Sequence, residues 1–188
     1  MKRSFDLLIS TVLILPAVIV CTVAAILIWM EARCNPLFVQ PRVGREQRIF
    51  RMMKMRTMRA DTAHRASHEI GTDQILRTGH FMRRTKIDEL PHIWNVLIGD
   101  MSFVGPRPCL PMQTELISER EKRGVYRLRP GITGKAQLMD IDMSTPIKLS
   151  EIDAEYAAEW SFRKDVGYLI ATFFGSGRGD AASRSGVK

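Results

Sequence analysis

Cysteine is scarce in this sequence: Cys21, Cys34 and Cys109 are the only three among 188 residues. They stand far apart, without the close pairs of a zinc ligand set, and an odd number leaves no disulfide framework. Reduced thiols in a cytoplasmic setting are the reading that remains. Also missing are a Gly-x-Gly-x-x-Gly turn, a Walker loop and a Ser/His/Asp signature, which removes the usual routes to dinucleotide, P-loop and serine-hydrolase chemistry. The four histidines form no metal set. His64 and His68 lie four apart in a polar stretch without a third ligand, and His80 and His92 stand alone. Aromatic residues do not interleave with basic ones, so basicity is the only argument for nucleic acid. Acidic residues are the minority, 20 against 28 Lys and Arg, giving a formal charge of +8. That balance points to anionic partners such as phosphorylated ligands or lipid headgroups. There is no internal repeat and no low-complexity tract, and the length suits one domain of ordinary size.

One long apolar run is present, over residues 7–30, broken only by Ser10, Thr11, Pro16, Cys21 and Thr22. It passes the length of about 20 residues needed to cross a bilayer. It is too long for a signal-peptide core and no small-x-small cleavage site follows, so the segment is expected to be retained. Lys2 and Arg3 flank one end and Arg33, Arg42 and Arg45 the other, which gives the positive-inside rule no winner. Pro16 removes a backbone donor near the middle. A straight span and a bent hairpin with both ends on one side are both open, the straight span being the commoner solution.

Beyond Pro36 the pattern is of short elements. Residues 37–40 and 49–55 read as extended segments around a turn at 42–46. Residues 60–72 read as a polar loop, and 72–82 as a helix capped by Thr72 or Asp73. A second helix is predicted over 88–98, with Leu90, Ile93, Trp94 and Leu97 on one face and Gly99 at its end. Further helices are predicted over 111–122, 150–160 and 162–174. The last is amphipathic and suits either a bilayer interface or the core. The Gly/Ser-rich tail from 175 is expected to be disordered.

The chemistry concentrates at Asp88 and Glu89, adjacent carboxylates at the mouth of the 88–98 helix. As a bland alternative, Asp is a good helix cap and Pro91 is tolerated in a first turn. Against that, neighbouring carboxylates diverge by about 100° on a helix, so one can face a phosphorus while the other binds a metal or orients a neighbour. A helix N-terminus also attracts phosphate. Basic side chains are set around the pair: Lys54 and Arg56, Arg83 and Arg84, Arg107 and Arg129. Arg107 lies between Pro106 and Pro108, a restricted backbone that suits a preorganised phosphate fork. Arg129 precedes the rigid Pro130-Gly131.

The ordered motifs carry a resemblance. They are Lys2-Arg-x-x-Asp6, the apolar run with its proline, Phe38-Val-Gln-x-Arg-Val-Gly44, Phe50-x-x-x-Lys-x-Arg-Thr-Met58, Asp88-Glu-Leu-Pro91, Asn95-Val-Leu-x-Gly-Asp-Met-Ser-Phe-Val-Gly-Pro-Arg-Pro108 and Arg129-Pro-Gly-Ile-Thr-Gly134. From residue 2 to about 174 the chain resembles the bacterial sugar transferases, the monotopic phosphoglycosyl transferases, and looks like their small type without a multi-span N-terminal region. The resemblance implies a mostly helical α+β fold in three parts. These are a re-entrant membrane helix-break-helix (1–34), a cytoplasmic catalytic domain with short strands and interfacial helices (35–174), and the tail (175–188). It implies transfer of a sugar-1-phosphate from a UDP-sugar to polyprenyl (undecaprenyl) phosphate, with release of UMP, at the cytoplasmic face of the bacterial inner membrane. This would be the first membrane step of glycoconjugate synthesis.

By the same resemblance Asp88 is the nucleophile of a covalent phosphosugar intermediate, and Asp88 and Glu89 are the Mg2+ ligands. Arg107 lies near the donor phosphates, with Lys54, Arg83 and Arg129 as further substrate-binding residues. Membrane lipid is an implied partner, nucleic acid is not, and the oligomeric state is open, a homodimer included. Lys135 stands where many members carry tryptophan, and 138–142 depart from a common stretch, so the choice of sugar is not transferable. A membrane scaffold whose Asp-Glu only caps a helix, and a membrane-anchored nucleic-acid binder, are the competing readings; both leave the long motif unexplained.

Overall fold

The computed structural model describes residues 2–59 and 74–174. The expected 60–72 loop with His64 and His68, the proposed caps Thr72 and Asp73, and the tail all lie outside the described residues. The class is the predicted one, mostly helical α+β with two small sheets.

Helix α1 (Lys2–Ala32) runs unbroken through Pro16. A helix-break-helix was expected, and a single helical element is found. A proline deletes one hydrogen bond of the ladder, which bends a helix more readily than it ends one when apolar residues continue on both sides. The buried positions of α1 are Asp6, Ser10, Ala17, Ala24 and Ile28, a stripe at four- and seven-residue spacing. Leu8, Val12, Leu15, Ile19, Val23 and Met30 on the other faces are exposed. Among the described residues α1 is the one helix long and apolar enough to cross a membrane.

Both ends of α1 are fastened to the rest of the molecule. At the first end Lys2 pairs with buried Asp165. Arg3 donates to the carbonyls of Val96 and Leu97, and buried Asp6 accepts from Ser102 Oγ (3.1 Å) and the Phe103 amide (3.2 Å). At the other end Glu31 accepts from the amides of Arg77 (2.7 Å) and Thr78 (3.0 Å) and from Thr78 Oγ1 (2.7 Å).

Strands β1 (Leu37–Val43) and β2 (Ile49–Met55) form an antiparallel hairpin with Leu37 opposite Met55 and Val43 opposite Ile49. Helix α2 (Arg77–Thr85) starts later than the pattern suggested, because its cap is the distant Glu31 and not a local side chain. Lys86 then takes a left-handed conformation (φ 60°).

The predicted 88–98 helix is corrected to a 3₁₀ turn (Ile87–Glu89) followed by α3 (His92–Ile98). Pro91 has no N–H for the Ile87 carbonyl, which is taken instead by the Leu90 amide three residues on (3.2 Å). Gly99, at φ 97°, closes α3 with bonds to Asn95 and Val96.

Strand β3 (Ser102–Val104) pairs in parallel with β4 (Gly131–Thr133), a sheet too short for the sequence to announce. Helices α4 (Thr114–Lys122), α5 (Lys135–Leu138), α6 (Pro146–Ala158) and α7 (Phe162–Phe173) complete the chain. α6 starts earlier than expected because Pro146 opens its first turn, where a missing N–H costs nothing.

The central core joins Ala17 of α1 to Phe50, Met52, Ile93, Val96, Phe103, Val104 and Tyr156. A second cluster gathers Val43, Cys109, Leu116, Tyr126 and Leu149, and a third packs Ala24 and Ile28 on Met55, Leu76 and Met82. The membrane-type helix is therefore part of the core along its length.

Candidate active site

Two side-chain locks set the dyad against β2. Buried Asn95 of α3 donates from Nδ2 to the Arg51 carbonyl (2.8 Å) and accepts the Met53 amide at Oδ1 (3.1 Å), standing in for a neighbouring strand. Arg83 Nε on α2 donates to Thr57 Oγ1 (2.9 Å), just past the end of β2. Between these locks Asp88 and Glu89 lie on the 3₁₀ turn, and Lys54 of β2 lies beside them.

Asp88 is buried, and it is not a cap: the capping positions of the turn and of α3 fall on Lys86 and Pro91. Its carboxylate acts on the Lys54 ammonium. Burial brings Lys54 down to about 8, with Asp88 opposing and Arg83, Arg42 and Arg107 reinforcing the fall. Lys54 also lies 5.4 Å from the centre of the Phe38 ring.

Glu89 accepts from Arg107 Nη2 at 3.2 Å. Burial, the largest single effect, would raise the Glu89 carboxyl; Arg107 first, then His92 and Lys86, together outweigh it and hold the group well below the usual carboxylate range. The two carboxylates thus have different company. Glu89 is committed to a guanidinium, and Asp88 faces an ammonium that gives up its proton readily.

Two residues that the sequence did not single out join the cluster. His92 is buried one turn beyond the dyad, its two ring nitrogens without a hydrogen-bond partner. Burial, opposed by Glu89 and reinforced by Arg107, Lys54 and Arg42, brings it down to about 4, so the imidazole is neutral at pH 7. Arg42 of β1 is the second. Its neighbours include Arg107, and burial followed by that repulsion lowers it to about 10. A signal for it existed: Phe38, Gln40 and Arg42 alternate on one face of β1, which turns the arginine inward.

The structure brings Lys54, Arg83 and Arg107 together around Asp88 and Glu89, but not Arg129. Arg129 Nε donates to the Gly99 carbonyl (2.8 Å), and the charges that act on it are Arg3, Arg45 and Asp6. Its segment nevertheless abuts the Arg107 loop, since the Gly131 amide donates to the Pro106 carbonyl (2.9 Å). A Cβ on Gly131 would meet the Gly105 nitrogen at 2.1 Å, so only glycine permits this approach. Lys135 is engaged by Glu155 of α6 (2.8 Å).

Among the described residues no group of three or more His, Cys, Asp or Glu forms a metal cage, and the site itself brings the carboxylates of Asp88 and Glu89. Two carboxylates suit Mg2+, which keeps several waters and shares its sphere with substrate phosphates.

The profile of the bacterial sugar transferase family matches residues 1–178. The chain belongs to that family. Over 91% of its length this family member is 36% identical to the undecaprenyl-phosphate glucose phosphotransferase of Komagataeibacter xylinus. It is 34% identical, also over 91%, to the UDP-glucose:undecaprenyl-phosphate glucose-1-phosphate transferase of Caulobacter vibrioides. The same figures hold for the UDP-N-acetylgalactosamine-undecaprenyl-phosphate N-acetylgalactosaminephosphotransferase of Aeromonas hydrophila. The chain spans 35%, 67% and 42% of the lengths of these three relatives.

Proposed function

We propose that the protein transfers a sugar-1-phosphate from a UDP-sugar to a polyprenyl phosphate, undecaprenyl phosphate in the relatives' names, at a membrane surface. The observation that carries this reading is the meeting of two differently held carboxylates with Lys54, Arg83, Arg107 and Arg42 beside an apolar helix. Such a cluster of cations repels itself until a polyanion arrives; a donor diphosphate relieves it.

In the reaction we infer, a carboxylate oxygen of Asp88 attacks the sugar-bearing phosphorus. The bond from that phosphorus to the bridging oxygen breaks, and UMP departs with the electron pair. The acceptor phosphate then attacks the same phosphorus, giving a polyprenyl diphosphate sugar and freeing Asp88. Asp88 is assigned as the nucleophile because it holds the first position of the Asp-Glu dyad and lies buried where its charge acts on Lys54. Arg107, Lys54 and Arg83 stabilise the charge that builds on the phosphoryl oxygens. Asp88 and Glu89 would hold Mg2+, which supplies neutralisation of the diphosphate.

The fastening of α1 supports a re-entrant or in-plane helix over a straight crossing. A straight helix of this length extends about 45 Å. Its two ends are bonded to α3, α7 and α2 of one body, which leaves that body on one side of the bilayer. We place that side on the cytoplasmic face of the inner membrane. Exposed Phe81, Trp94, Trp160, Phe162, Phe173 and Phe174 supply further apolar and interfacial surface.

Intact-protein mass spectrometry tests the chemistry. With Mg2+ and a panel of UDP-sugars, and no acceptor, the protein is expected to gain one sugar phosphate, and Asp88→Asn none. UMP release that needs acceptor and leaves no adduct would replace the covalent route with direct transfer. For topology, native Cys34 and an introduced Ser4→Cys are expected to react with an impermeant thiol reagent from the same side. Labelling from opposite sides would establish a straight crossing.

A further inference from the structure

The loop that carries Arg107 is held by its carbonyl oxygens. Pro106 and Pro108 have no N–H, so this segment cannot bond as a strand through them. Four consecutive carbonyls nevertheless each receive a fixed donor. The Gly131 amide serves Pro106 (2.9 Å), and the Val43 amide serves Cys109 (2.9 Å). The two between them are served by guanidiniums: Arg120 Nη1 donates to Arg107 (2.9 Å), and Arg42 Nη1 to Pro108 (3.0 Å).

Each guanidinium is itself fixed. Arg120 is fully buried, and its Nε and Nη2 both donate to Asp153 Oδ2 (2.9 and 2.7 Å), which aims Nη1 at the loop. Arg42 Nη2 donates to Gln40 Oε1 (2.8 Å), and its Nε has no partner. The difference matters. Arg120 has a carboxylate to balance its charge, whereas the acceptors of Arg42 are a carbonyl and an amide oxygen. An unbalanced guanidinium below the binding surface is costly to keep for packing alone and favours an anion above it.

We propose that Arg42 and Arg120 are positioning residues for Arg107. They fix the Pro-Arg-Pro loop by its carbonyls, so that the Arg107 fork meets the donor diphosphate preorganised, and Arg42 adds a standing positive charge beneath it. Neither touches substrate. The inference rests on the diphosphate-binding reading given above.

The test uses three variants of the full chain, with UMP release measured against UDP-sugar concentration and UDP binding measured by calorimetry. Arg42→Gln keeps an N–H donor and removes the charge. Arg42→Lys keeps the charge without the fork. Arg120→Met/Asp153→Leu removes donor and counter-charge together, a replacement that buried ion pairs tolerate. The expected result is a donor KM and a UDP Kd raised about tenfold in Arg42→Gln and in the double variant, equivalent to about 1.4 kcal/mol of binding. kcat stays within about threefold and unfolding stays cooperative, and Arg42→Lys recovers part of the loss. Folded variants with unchanged KM and Kd would overturn the positioning role while leaving the transferase reading intact. A fall in active fraction with KM and Kd unaltered would likewise reduce both arginines to structural parts. A wild type that neither binds UDP nor releases UMP from any donor would overturn both readings.

Discussion

Two arginine–carboxylate pairs lie in adjoining regions of this molecule and are built to opposite ends. At the rim, Arg107 meets Glu89 through one contact of 3.2 Å, with the side chains 42% and 15% exposed. In the core, Arg120 grips one oxygen of Asp153 with two nitrogens at 2.7 and 2.9 Å, and the exposures are 2% and 4%. In the rim pair the guanidinium reaches solvent while Glu89 is largely covered, so an incoming phosphate can approach Arg107 from its open side. The core pair has no competitor for either partner. Ionisation follows the same division. At Glu89 several positive neighbours, Arg107 first, together overcome burial and the carboxyl falls; at Asp153 burial outweighs Arg120 and it rises. The core pair is therefore no bargain in stability, and its value lies in direction, since it points a third guanidinium nitrogen at the Arg107 carbonyl.

The contrast is easiest to break from the core side. Arg120→Ala leaves Asp153 buried without its partner and is expected to cost about 3–5 kcal/mol in denaturant unfolding. A loss below about 1 kcal/mol would mean that the core pair behaves like a surface pair.

Acid should act on the rim first. The folded pKa of His92, about 4, lies below its ordinary 6.5. Between those values the unfolded chain binds more protons, so stability rises with pH there and is lost as pH falls through the window. The expected loss from pH 6.5 to 4 is on the order of 3 kcal/mol, measured in magnesium-free buffer. Glu89, also depressed, adds its share as the pH falls below the ordinary carboxylate range. His92→Gln is expected to flatten the slope, and an unchanged slope would shift the titration to another group.

Arg107→Ala reverses the pattern of Arg120→Ala. Stability is expected to fall by about 1–3 kcal/mol, less than at Arg120 because Arg107 itself reaches solvent, while kcat/KM for UMP release falls on the order of 10²-fold. A large drop in unfolding free energy would make the rim pair a structural one. The smallest effect is expected at Glu31→Gln, where an exposed carboxylate caps α2 from another helix. The loss should be about 1 kcal/mol, read as a lowered melting temperature.

What was legible in the sequence divides along similar lines. Lys54, Arg83 and Arg107 fall in motifs with fixed spacing to the dyad, and those motifs come together in space. The dyad's local shape was misjudged, because the missing N–H of Pro91 acts backwards on Ile87 and tightens the turn. Strands β3 and β4, with three residues each, are shorter than any period-two signal. The cap of α2 comes from Glu31, 46 residues away, and no local pattern can announce such a partner. Arg120 sits in the run Glu119 to Lys122, which reads as a solvated face; only Leu116 one turn earlier shares its buried side. Arg129 is placed apart from the other three. Its Pro-Gly context suggested a phosphate ligand, and its Nε is occupied by the carbonyl of Gly99.

The fastening of α1 at both ends has a mechanical consequence. Arg3 grips the last carbonyls of α3, Glu31 grips the first amides of α2, and the dyad lies on the chain between those grips. An apolar helix afloat in lipid settles at a height fixed by the thickness and lateral pressure of its leaflet. On the proposed reading, with α1 in lipid and Asp88 as nucleophile, that height would pass through these grips to Asp88. Lipid composition would then act as a vernier on the proposed reaction, raising or lowering Asp88 against the plane of the acceptor's phosphate.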